Sequence, residues 1–569
     1  MRESLSLIRN RWKQYAKRVF LSDTSNNLVW YENLVTYLSN LNTVLEKKLK
    51  LEEPIVVIVS NDLLVKVVVF MYCFLTNTNL ILVSPKFNIT AIINAISAKR
   101  ANVLIIDMDI KHNISMYEQE EGVSIFKYFK CVETTAKLLE VITGPIIGTS
   151  HINVLFRKGL HAIETLSSEN ELIKNIYSSD FEDREIPKIT ILSPGSSTES
   201  SFVNVPYKVL CKSMQLMSYF IGLKPEDKIS IITDFEFFPN IFTLLGFLNG
   251  VQLVQPNVDI SSAEEFTDEF KKFNVKANVI IIDSYRFKTI WDSLILKVYG
   301  NRLMFKLSKY KLLERIPEYV LLQEIQKLFG KETKVHILNE ELGLYCLNIL
   351  RRSKVLFTSS YGYLEQGNFL AFKDPTLFKS KKFYSKPGGT ILKNSPELFD
   401  SVGTEDSNAV FYINGKDYGL LEEELKEITV KTMIAGRPWT MRSEDLGAEI
   451  PNIPSQGKRQ FLYIFGRICR YPSVMTDNSL ELMEKSVKDT LLIRDCLIIR
   501  DGDELSLVVE QRLSMFDIHR IGEEELKAVI QSLVSSLKRD NNIVINKLVT
   551  MELKGMRNIA GKIILYYNI

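Results

Sequence analysis

One short segment combines the residue types that bind phosphate, Ser193-Pro194-Gly195-Ser196-Ser197-Thr198. A glycine lets backbone N–H groups approach an anion closely, and Ser and Thr hydroxyls donate further hydrogen bonds. The segment follows the apolar run 189–192 and precedes a periodic stretch over 207–221, so it is expected between a strand and a helix. Ser/Gly-rich loops are also ordinary turns, and this one lacks the Lys of a Walker-type loop. Alone, the segment leaves a phosphate site and a simple turn both open.

Alternating strand and helix patterns precede this segment. Residues 55–60 predict a β-branched strand, 62–75 a capped helix and 80–83 another strand, followed by a helix over 89–98 and a strand over 103–106. This alternation is typical of a parallel α/β layer.

A second alternation follows the segment. Its predicted elements are helix 207–221, strand 229–232, helix 240–248, strand 251–254, a helix with a Ser-x-x-Glu capping box from Ser262, strand 279–282 and strand 334–338. Residues 306–328 predict an amphipathic surface helix pair, which is favoured over a membrane role. Glycines and short apolar runs over 382–465 indicate β structure, and the chain beyond Arg470 predicts a small α+β domain.

Composition excludes several classes of function. The 569 residues are 46% hydrophobic and predict several structural units, at about one domain per 150 residues. A net charge of +3 gives no reason to invoke nucleic acid or an anionic membrane as the main partner, although local basic patches remain open. The six cysteines contain no C-x-x-C pair and the five histidines do not cluster, which favours free thiols in a reducing cytoplasm over a zinc site.

No segment predicts a signal peptide or a membrane span. The most hydrophobic region, 55–83, is interrupted by Asn61, Asp62 and Lys66, whereas a spanning helix needs about 20 apolar residues. The N-terminus mixes basic residues with short apolar stretches, so it predicts an amphipathic surface helix.

Four further motifs follow downstream. They are Tyr361-Gly362-Tyr363-Leu364-Glu365, Ser443-Glu444-Asp445-Leu446-Gly447, Gly466-Arg467 and Gly561-Lys562. Together with the segment at 193–198, their types and order resemble the core motifs of the adenylate-forming superfamily, which includes acyl-CoA synthetases, peptide-synthetase adenylation domains and luciferases. The resemblance extends over nearly the whole chain.

The resemblance implies an α/β fold in two domains. A large N-terminal domain, 1–468, would contain layered α/β subdomains and a β-rich subdomain, and a small mobile α+β C-terminal lid would occupy 469–569, with Arg470 at the hinge. The superfamily joins a carboxylic acid to ATP, giving an acyl-adenylate and pyrophosphate, and usually passes the acyl group to a thiol. The implied cofactors are ATP and Mg²⁺, with coenzyme A or a separate phosphopantetheinylated carrier protein as acceptor, since no carrier domain follows the lid.

The resemblance also implies roles for single residues. Glu365 would hold Mg²⁺, because a hard carboxylate oxygen suits that ion. Tyr361 and Gly362 would lie beside the adenine. Asp445 would accept hydrogen bonds from the ribose hydroxyls, and Arg467 would place a permanent charge near the nucleotide. Without the resemblance these residues are read as a solvated acid, a core tyrosine, a turn and a surface ion pair.

Two more segments complete the implied nucleotide site. Lys562 on the lid would bridge the acid's carboxylate and the α-phosphate, stabilising the charge of the transition state. Glu340 lies where the superfamily has a Gly-rich turn beside the adenine, although its glycines are missing here. The residues implied to grip the phosphates are Ser193, Gly195, Ser196, Ser197 and Thr198.

Departures from the superfamily pattern keep a second hypothesis open. Thr198 replaces a loop Gly, Ser201 the loop Lys, Leu364 a Thr, and Arg470 the usual hinge residue. Loss of one charge-assisted contact costs about 1.5–3 kcal/mol, so ATP use could be weaker. A non-catalytic binding or scaffold protein is therefore the alternative to an active ligase.

The acid pocket is expected around Phe235, Glu236 and Phe237. Phe235 aligns with the Asp by which amino-acid-activating members of the superfamily bind the α-ammonium of their substrate. An aromatic ring cannot pair with that ammonium as a carboxylate does. Glu236 could do so if the alignment shifts by one residue, and the aromatics could instead be core. A small-molecule fatty or aryl acid is therefore expected rather than an ordinary α-amino acid.

Overall fold

The computed structural model describes most of the N-terminal half of the chain and selected strands of the C-terminal half. The described residues are 2–23, 28–45, 55–60, 62–85, 87, 90, 92–93, 103–121, 130–133, 188–193, 201–233, 237–256, 262–272, 277–308, 310, 313–338, 346, 349–350, 352–362, 371–373, 398–401, 409–413, 426–434, 437–450, 461–467, 493–501, 504–512, 528, 531, 535 and 547–550.

The helices, in chain order, are α1 Arg2–Tyr15, α2 Tyr31–Thr43, α3 Leu63–Thr76, α4 Met108–Glu121, α5 Tyr207–Ile221, α6 Phe237–Asn249, α7 Ala263–Lys272, α8 Ser284–Tyr299, α9 Arg302–Ser308 and α10 Arg315–Phe329. The strands are β1 Val19–Asp23, β2 Leu28–Trp30, β3 Val56–Val59, β4 Leu80–Leu82, β5 Val103–Ile106, β6 Lys130–Glu133, β7 Lys188–Ser193, β8 Ser201–Pro206, β9 Lys228–Ile232, β10 Gln252–Gln255, β11 Val279–Asp283, β12 Lys334–Leu338, β13 Leu356–Tyr361, β14 Ala371–Lys373, β15 Leu398–Ser401, β16 Ala409–Ile413, β17 Lys426–Ile434, β18 Arg437–Ile450, β19 Phe461–Arg467, β20 Ile493–Asp501, β21 Glu504–Gln511 and β22 Lys547–Thr550.

The described strands of the first half build a six-stranded sheet in the order β6-β5-β3-β4-β7-β8. All neighbours are parallel except β7 and β8. Strands β3, β4 and β5 are wholly apolar and buried, as expected for a parallel sheet covered on both faces. Asp62 caps α3 by accepting a hydrogen bond from the Val65 N–H at 3.0 Å, which fixes the turn from β3 into the helix.

A second sheet has thirteen described strands, in the order β16-β17-β18-β19-β15-β14-β13-β12-β11-β9-β10-β1-β2. Part of this sheet is parallel, namely the neighbours β1, β10, β9, β11, β12 and β13. The strands that follow β13 in the sheet order, β14, β15, β19, β18, β17 and β16, pair antiparallel. One sheet therefore joins a parallel α/β half to an antiparallel, β-rich half.

The two sheets share one apolar core, here called the inner core. Its buried residues come from α1, α2, α3, α5 and α6 and from the facing strands of both sheets, for example Ile58, Phe74, Leu210, Phe247 and Ile281. A hydrogen bond of 2.7 Å from the Tyr207 hydroxyl to the Thr78 carbonyl ties α5 to the turn before β4. Helices sandwiched between two sheets thus form the centre of the molecule.

The other face of the large sheet carries a separate outer core. Helices α7, α8 and α10 contribute Phe266, Phe287, Ile290, Leu321 and Phe329, which pack on β11, β12 and β13. The Phe329 ring meets the Phe266 ring edge to face, with the ring centroids 5.2 Å apart. The predicted surface helix pair over 306–328 is thus observed as α9 and α10, each with one buried side.

The N-terminal helix is amphipathic as predicted, and its apolar side is buried. Ile8, Trp12 and Tyr15 recur at helical spacing and enter the inner core. The Tyr15 ring lies against Gly250, whose φ of +71° favours glycine and where an added Cβ would lie 2.1 Å from the ring. Among the described residues, no helix is long and apolar enough to cross a membrane.

A third sheet, β20-β21-β22, is held against α8 by a buried ion cluster. Asp292 of α8 contacts the Arg512 Nε at 2.6 Å and the Arg494 Nε at 2.9 Å. The guanidinium of Arg494 also lies 3.9 Å from the carboxylate of Glu510. Burial raises the pKa of Asp292, and the two arginines oppose that shift. The ionised carboxylate therefore depends on side chains of the third sheet.

Candidate functional site

The predicted phosphate loop connects two antiparallel strands rather than a strand and a helix. Strand β8 turns back along β7, and Ser193 pairs with Ser201 across the ladder. Helix α5 starts only after β8, at Tyr207. The buried Val203 and Val205 alternate with the exposed Asn204, which is a strand pattern that the sequence prediction overlooked. Residues 194–200, which include Gly195, Ser196, Ser197 and Thr198, lie outside the described residues.

This hairpin has a geometric consequence for the missing loop Lys. Directly opposed residues of an antiparallel pair have Cβ atoms roughly 4.5–5.5 Å apart. Ser201, which stands where the resemblance expects Lys, therefore lies opposite Ser193 at the base of the loop.

Parallel strands β9, β11, β12 and β13 end at one edge of the large sheet. After β9 the chain enters α6, which packs in the inner core. After β11 it enters α8, which packs in the outer core. The chain therefore leaves these neighbouring strands on opposite faces, and in α/β sheets such a point opens a crevice that binds ligands.

Several predicted site segments start from this edge. Tyr361 ends β13, is partly exposed, and is followed by Gly362. Leu338 ends β12 opposite Ser360, and Glu340 comes two residues later. Ile232 ends β9, and the chain reaches Phe235 and Glu236 soon afterwards. The side chains of Glu340, Phe235 and Glu236 lie outside the described residues.

Phe237 is the first residue of α6, three residues earlier than the predicted start of that helix at Asn240. Its backbone position is described, and its side chain is not. The acid-pocket prediction for 235–237 therefore falls on the start of α6 and on two residues before it that lie outside the described residues.

A buried polar group lies beneath this edge and was not predicted. His336 on β12 is fully buried, with its Nδ1 2.9 Å from the Thr358 hydroxyl and its Nε2 3.1 Å from the Ser360 hydroxyl. Burial lowers the pKa of His336 to about 3, so the ring is neutral at pH 7. A neutral imidazole has one donor and one acceptor nitrogen. One hydroxyl therefore accepts from the ring and the other donates to it.

The sequence did contain a signal for this group. His336, Thr358 and Ser360 occupy alternate positions of two strands that are otherwise apolar or buried. Polar residues at core-facing positions must find hydrogen-bond partners, so two neighbouring strands with matched polar positions indicate a buried pair. Finding it required the register of β12 on β13.

Asp445 and Arg467 are brought together by the β18–β19 register. They are direct partners, although 22 positions separate them in the sequence. Directly opposed residues of an antiparallel pair are neighbours across the ladder, so the register brings the backbone positions of an aspartate and an arginine together. The alternative interpretation of Asp445-Leu446-Gly447 as a turn is wrong, since these residues continue β18 with a register shift after Leu446.

The remaining predicted residues, Glu365, Arg470 and Lys562, lie outside the described residues. In the part that is described, no group of three or more His, Cys, Asp or Glu side chains could hold a metal. The Mg²⁺ prediction rests on Glu365.

No protein-family model and no curated protein matches the sequence. Solved structures do match, including the anthranilate CoA ligase AuaEII in complex with anthranoyl-AMP, with a TM-score of 0.64, 11% identity and coverage of 98% of this chain and 95% of that one. A benzoate CoA ligase from Burkholderia xenovorans LB400 matches with a TM-score of 0.63, 9% identity and 98% coverage of both chains. The chain has the adenylate-forming fold.

A third neighbour extends the likeness. The O-succinylbenzoate coenzyme A synthetase MenE from Bacillus subtilis, in complex with AMP, matches with a TM-score of 0.62, 12% identity and coverage of 98% of this chain and 96% of that one. The adenylate-forming fold thus accounts for the layered α/β sheets and the β-rich extension over nearly the full chain, as the motif order predicts.

Proposed function

We propose that this protein activates a carboxylic acid with ATP. A carboxylate oxygen attacks the α-phosphorus, pyrophosphate leaves, and the acyl-adenylate then passes its acyl group to a thiol with release of AMP. The observation that carries the proposal is that β9, β12 and β13, the last followed by Gly362, end at one edge of a sheet in an adenylate-forming fold. The thiol would be coenzyme A or a separate phosphopantetheinylated carrier protein.

The residue roles follow from charge and geometry. Asp445 would accept hydrogen bonds from the ribose hydroxyls, and Arg467 on the neighbouring strand would hold that carboxylate ionised and oriented. Tyr361 would offer its ring to the adenine. Lys562 would meet the negative charge that develops on the α-phosphate. Mg²⁺, when held by Glu365, would neutralise charge on the departing pyrophosphate.

An aryl or fatty acid is the proposed substrate class. The neighbouring structures include ligases of anthranilate and benzoate and a fatty acyl CoA synthetase. The sequence offers Phe235 where an α-ammonium would need a carboxylate. We place the enzyme in the cytoplasm, in keeping with the buried free thiols of Cys73, Cys211 and Cys346.

ATP–pyrophosphate exchange tests the proposal. The purified chain is assayed against a panel of aryl acids, fatty acids of graded length and α-amino acids, and exchange is expected with a member of the first two classes. The Lys562→Ala variant should lower exchange by roughly 100-fold or more, the usual cost of one transition-state contact. Lys554→Ala, in the same C-terminal segment, is the matched control.

Three outcomes decide between the hypotheses. Exchange that Lys562→Ala leaves undiminished would contradict the role of that lysine. Nucleotide binding without exchange on any acid would favour a binding or scaffold protein, to which the replacements at Ser201, Leu364 and Arg470 also point. Neither binding nor exchange would overturn the proposed function.

A further inference from the structure

Exposed apolar side chains concentrate on α9, α10 and their connection. Of the eleven large hydrophobic residues that are exposed in the described part of the chain, five fall within residues 303–319. They are between 40% and 63% exposed: Leu303, Tyr310, Leu313, Ile316 and Tyr319. Single exposed apolar residues need no explanation, but a cluster marks an interaction site. We call the described residues of this span, 302–308, 310 and 313–319, the tip.

The tip is held firmly by the opposite side of the same helices. Phe305 and Leu321 are buried, and the Phe329 ring meets the Phe357 ring edge to face in the outer core, with the ring centroids 5.7 Å apart. Ile316 and Tyr319 stand three residues apart on α10 and so share a face. The exposed side chains therefore belong to helices that already have a packed side.

The tip is also basic. It contains Arg302, Lys306 and Arg315 against Glu314 and Glu318, so three positive and two negative charges give +1, and the sequence between its described residues adds Lys309 and Lys311. Glu318 is engaged by Arg352 at 2.6 Å. Arg302, Lys306 and Arg315 are exposed, and no ion pair to them occurs among the residues that the structure describes.

Apolar side chains with a basic surround fit one kind of partner best. Leucine, isoleucine and tyrosine enter the boundary between head groups and acyl chains, while Lys and Arg meet anionic head groups. A protein partner would have to supply both an apolar recess and an excess of carboxylates matched to the same short segment. We propose that the tip docks this protein on the surface of an anionic lipid bilayer, without spanning it, which revises the expectation from sequence that this helix pair has no membrane role.

Vesicle co-sedimentation of the full chain tests this proposal. Vesicles of phosphatidylcholine alone are compared with vesicles containing phosphatidylglycerol, and binding to the anionic vesicles is expected to be about tenfold stronger, since each basic residue near such a surface adds several-fold. Raising the salt concentration should weaken binding, because the head-group attraction is screened.

Two variants separate the apolar and the basic contributions. Leu313→Asp with Ile316→Asp should lower the vesicle-bound fraction about tenfold by removing buried apolar area. Lys306→Glu with Arg315→Glu should abolish the preference for anionic vesicles. Tyr219→Asp removes an apolar side chain that is 74% exposed on α5, far from the tip in the sequence, and should leave binding unchanged. Thermal unfolding of each variant verifies its fold.

The proposal is overturned if wild-type protein shows no preference for anionic vesicles, or if Tyr219→Asp lowers binding as much as the tip variants. It is equally overturned if the tip variants alter only concentration-dependent self-association in solution. In that case a second copy of the chain covers the tip.

Discussion

At the scale of single residues, His336 shows how burial fixes a chemical state. Its imidazole is surrounded by β11 and β13 in the large sheet and is held neutral by burial, with Thr358 and Ser360 as its partners. A proton added to this ring would lack hydration and would break one hydrogen bond. The residue therefore couples the stability of the sheet edge to pH.

The sign of this coupling follows from the lowered pKa. In the unfolded chain a histidine has its ordinary pKa of 6.5, whereas burial lowers the pKa of folded His336 to about 3. The contribution of His336 to the free energy of unfolding is fully present above about pH 6.5. It is lost as the pH falls toward 3, by up to about 1.4 kcal/mol per pH unit. Denaturant unfolding of wild type and His336→Gln between pH 4 and 7 should show the steeper loss in the wild type.

His112→Gln, a change at an exposed histidine of α4, controls for the removal of an imidazole. If the free energy of unfolding fell equally steeply with pH in wild type and in His336→Gln, that result would contradict the buried neutral state of His336.

At the scale of elements, the Asp292 cluster is the buried polar link between α8 and the third sheet. Removing one partner of a buried ion cluster leaves uncompensated charge, which costs about 3–5 kcal/mol. Asp292→Ala should therefore lower the free energy of unfolding strongly, and hydrogen exchange should become faster in β20 and β21.

The exposed pair of Arg352 and Glu318 gives the matched control. Its arginine side chain is half exposed, and such pairs contribute less than about 1 kcal/mol. If Arg352→Ala destabilised the protein as much as Asp292→Ala, burial would not be the decisive difference.

Sequence patterns predicted elements well where one local rule dominated. Strand β5 and helix α5 match their predicted limits, because a continuous apolar run or an apolar helical period needs no partner to be recognised. Strand β8 was missed, since the strand is recognised by its pairing with β7, which a local pattern does not show. Pro206 and the loop residues beside it also argue locally against a strand. The opposition of Asp445 and Arg467 depends on register in the same way.

At the scale of the whole molecule, the inner core makes the two large sheets one cooperative unit. Leu210 of α5 is fully buried within it, and Leu210→Ala should cost about 2–5 kcal/mol. Because strands of both sheets pack on the same core, hydrogen exchange should accelerate in β3 and β9 together.

Leu321→Ala in the outer core is the comparison. Leu321 is equally buried but packs on the large sheet alone, so its replacement should raise exchange in β11 and β12 more than in β3. If hydrogen exchange in Leu210→Ala accelerated in only one of the two sheets, the sheets would be shown to unfold independently.

The N-terminal strand has a consequence for synthesis of the chain on the ribosome. Leu21 of β1 pairs with Leu253 of β10, and the centroid of the Trp12 ring of α1 lies 5.0 Å from that of Phe247, so these contacts form only after α6 and β10 have been synthesised. At about 5–20 residues per second, that delay is on the order of tens of seconds. During this interval the apolar side of α1 is a ready site for a chaperone.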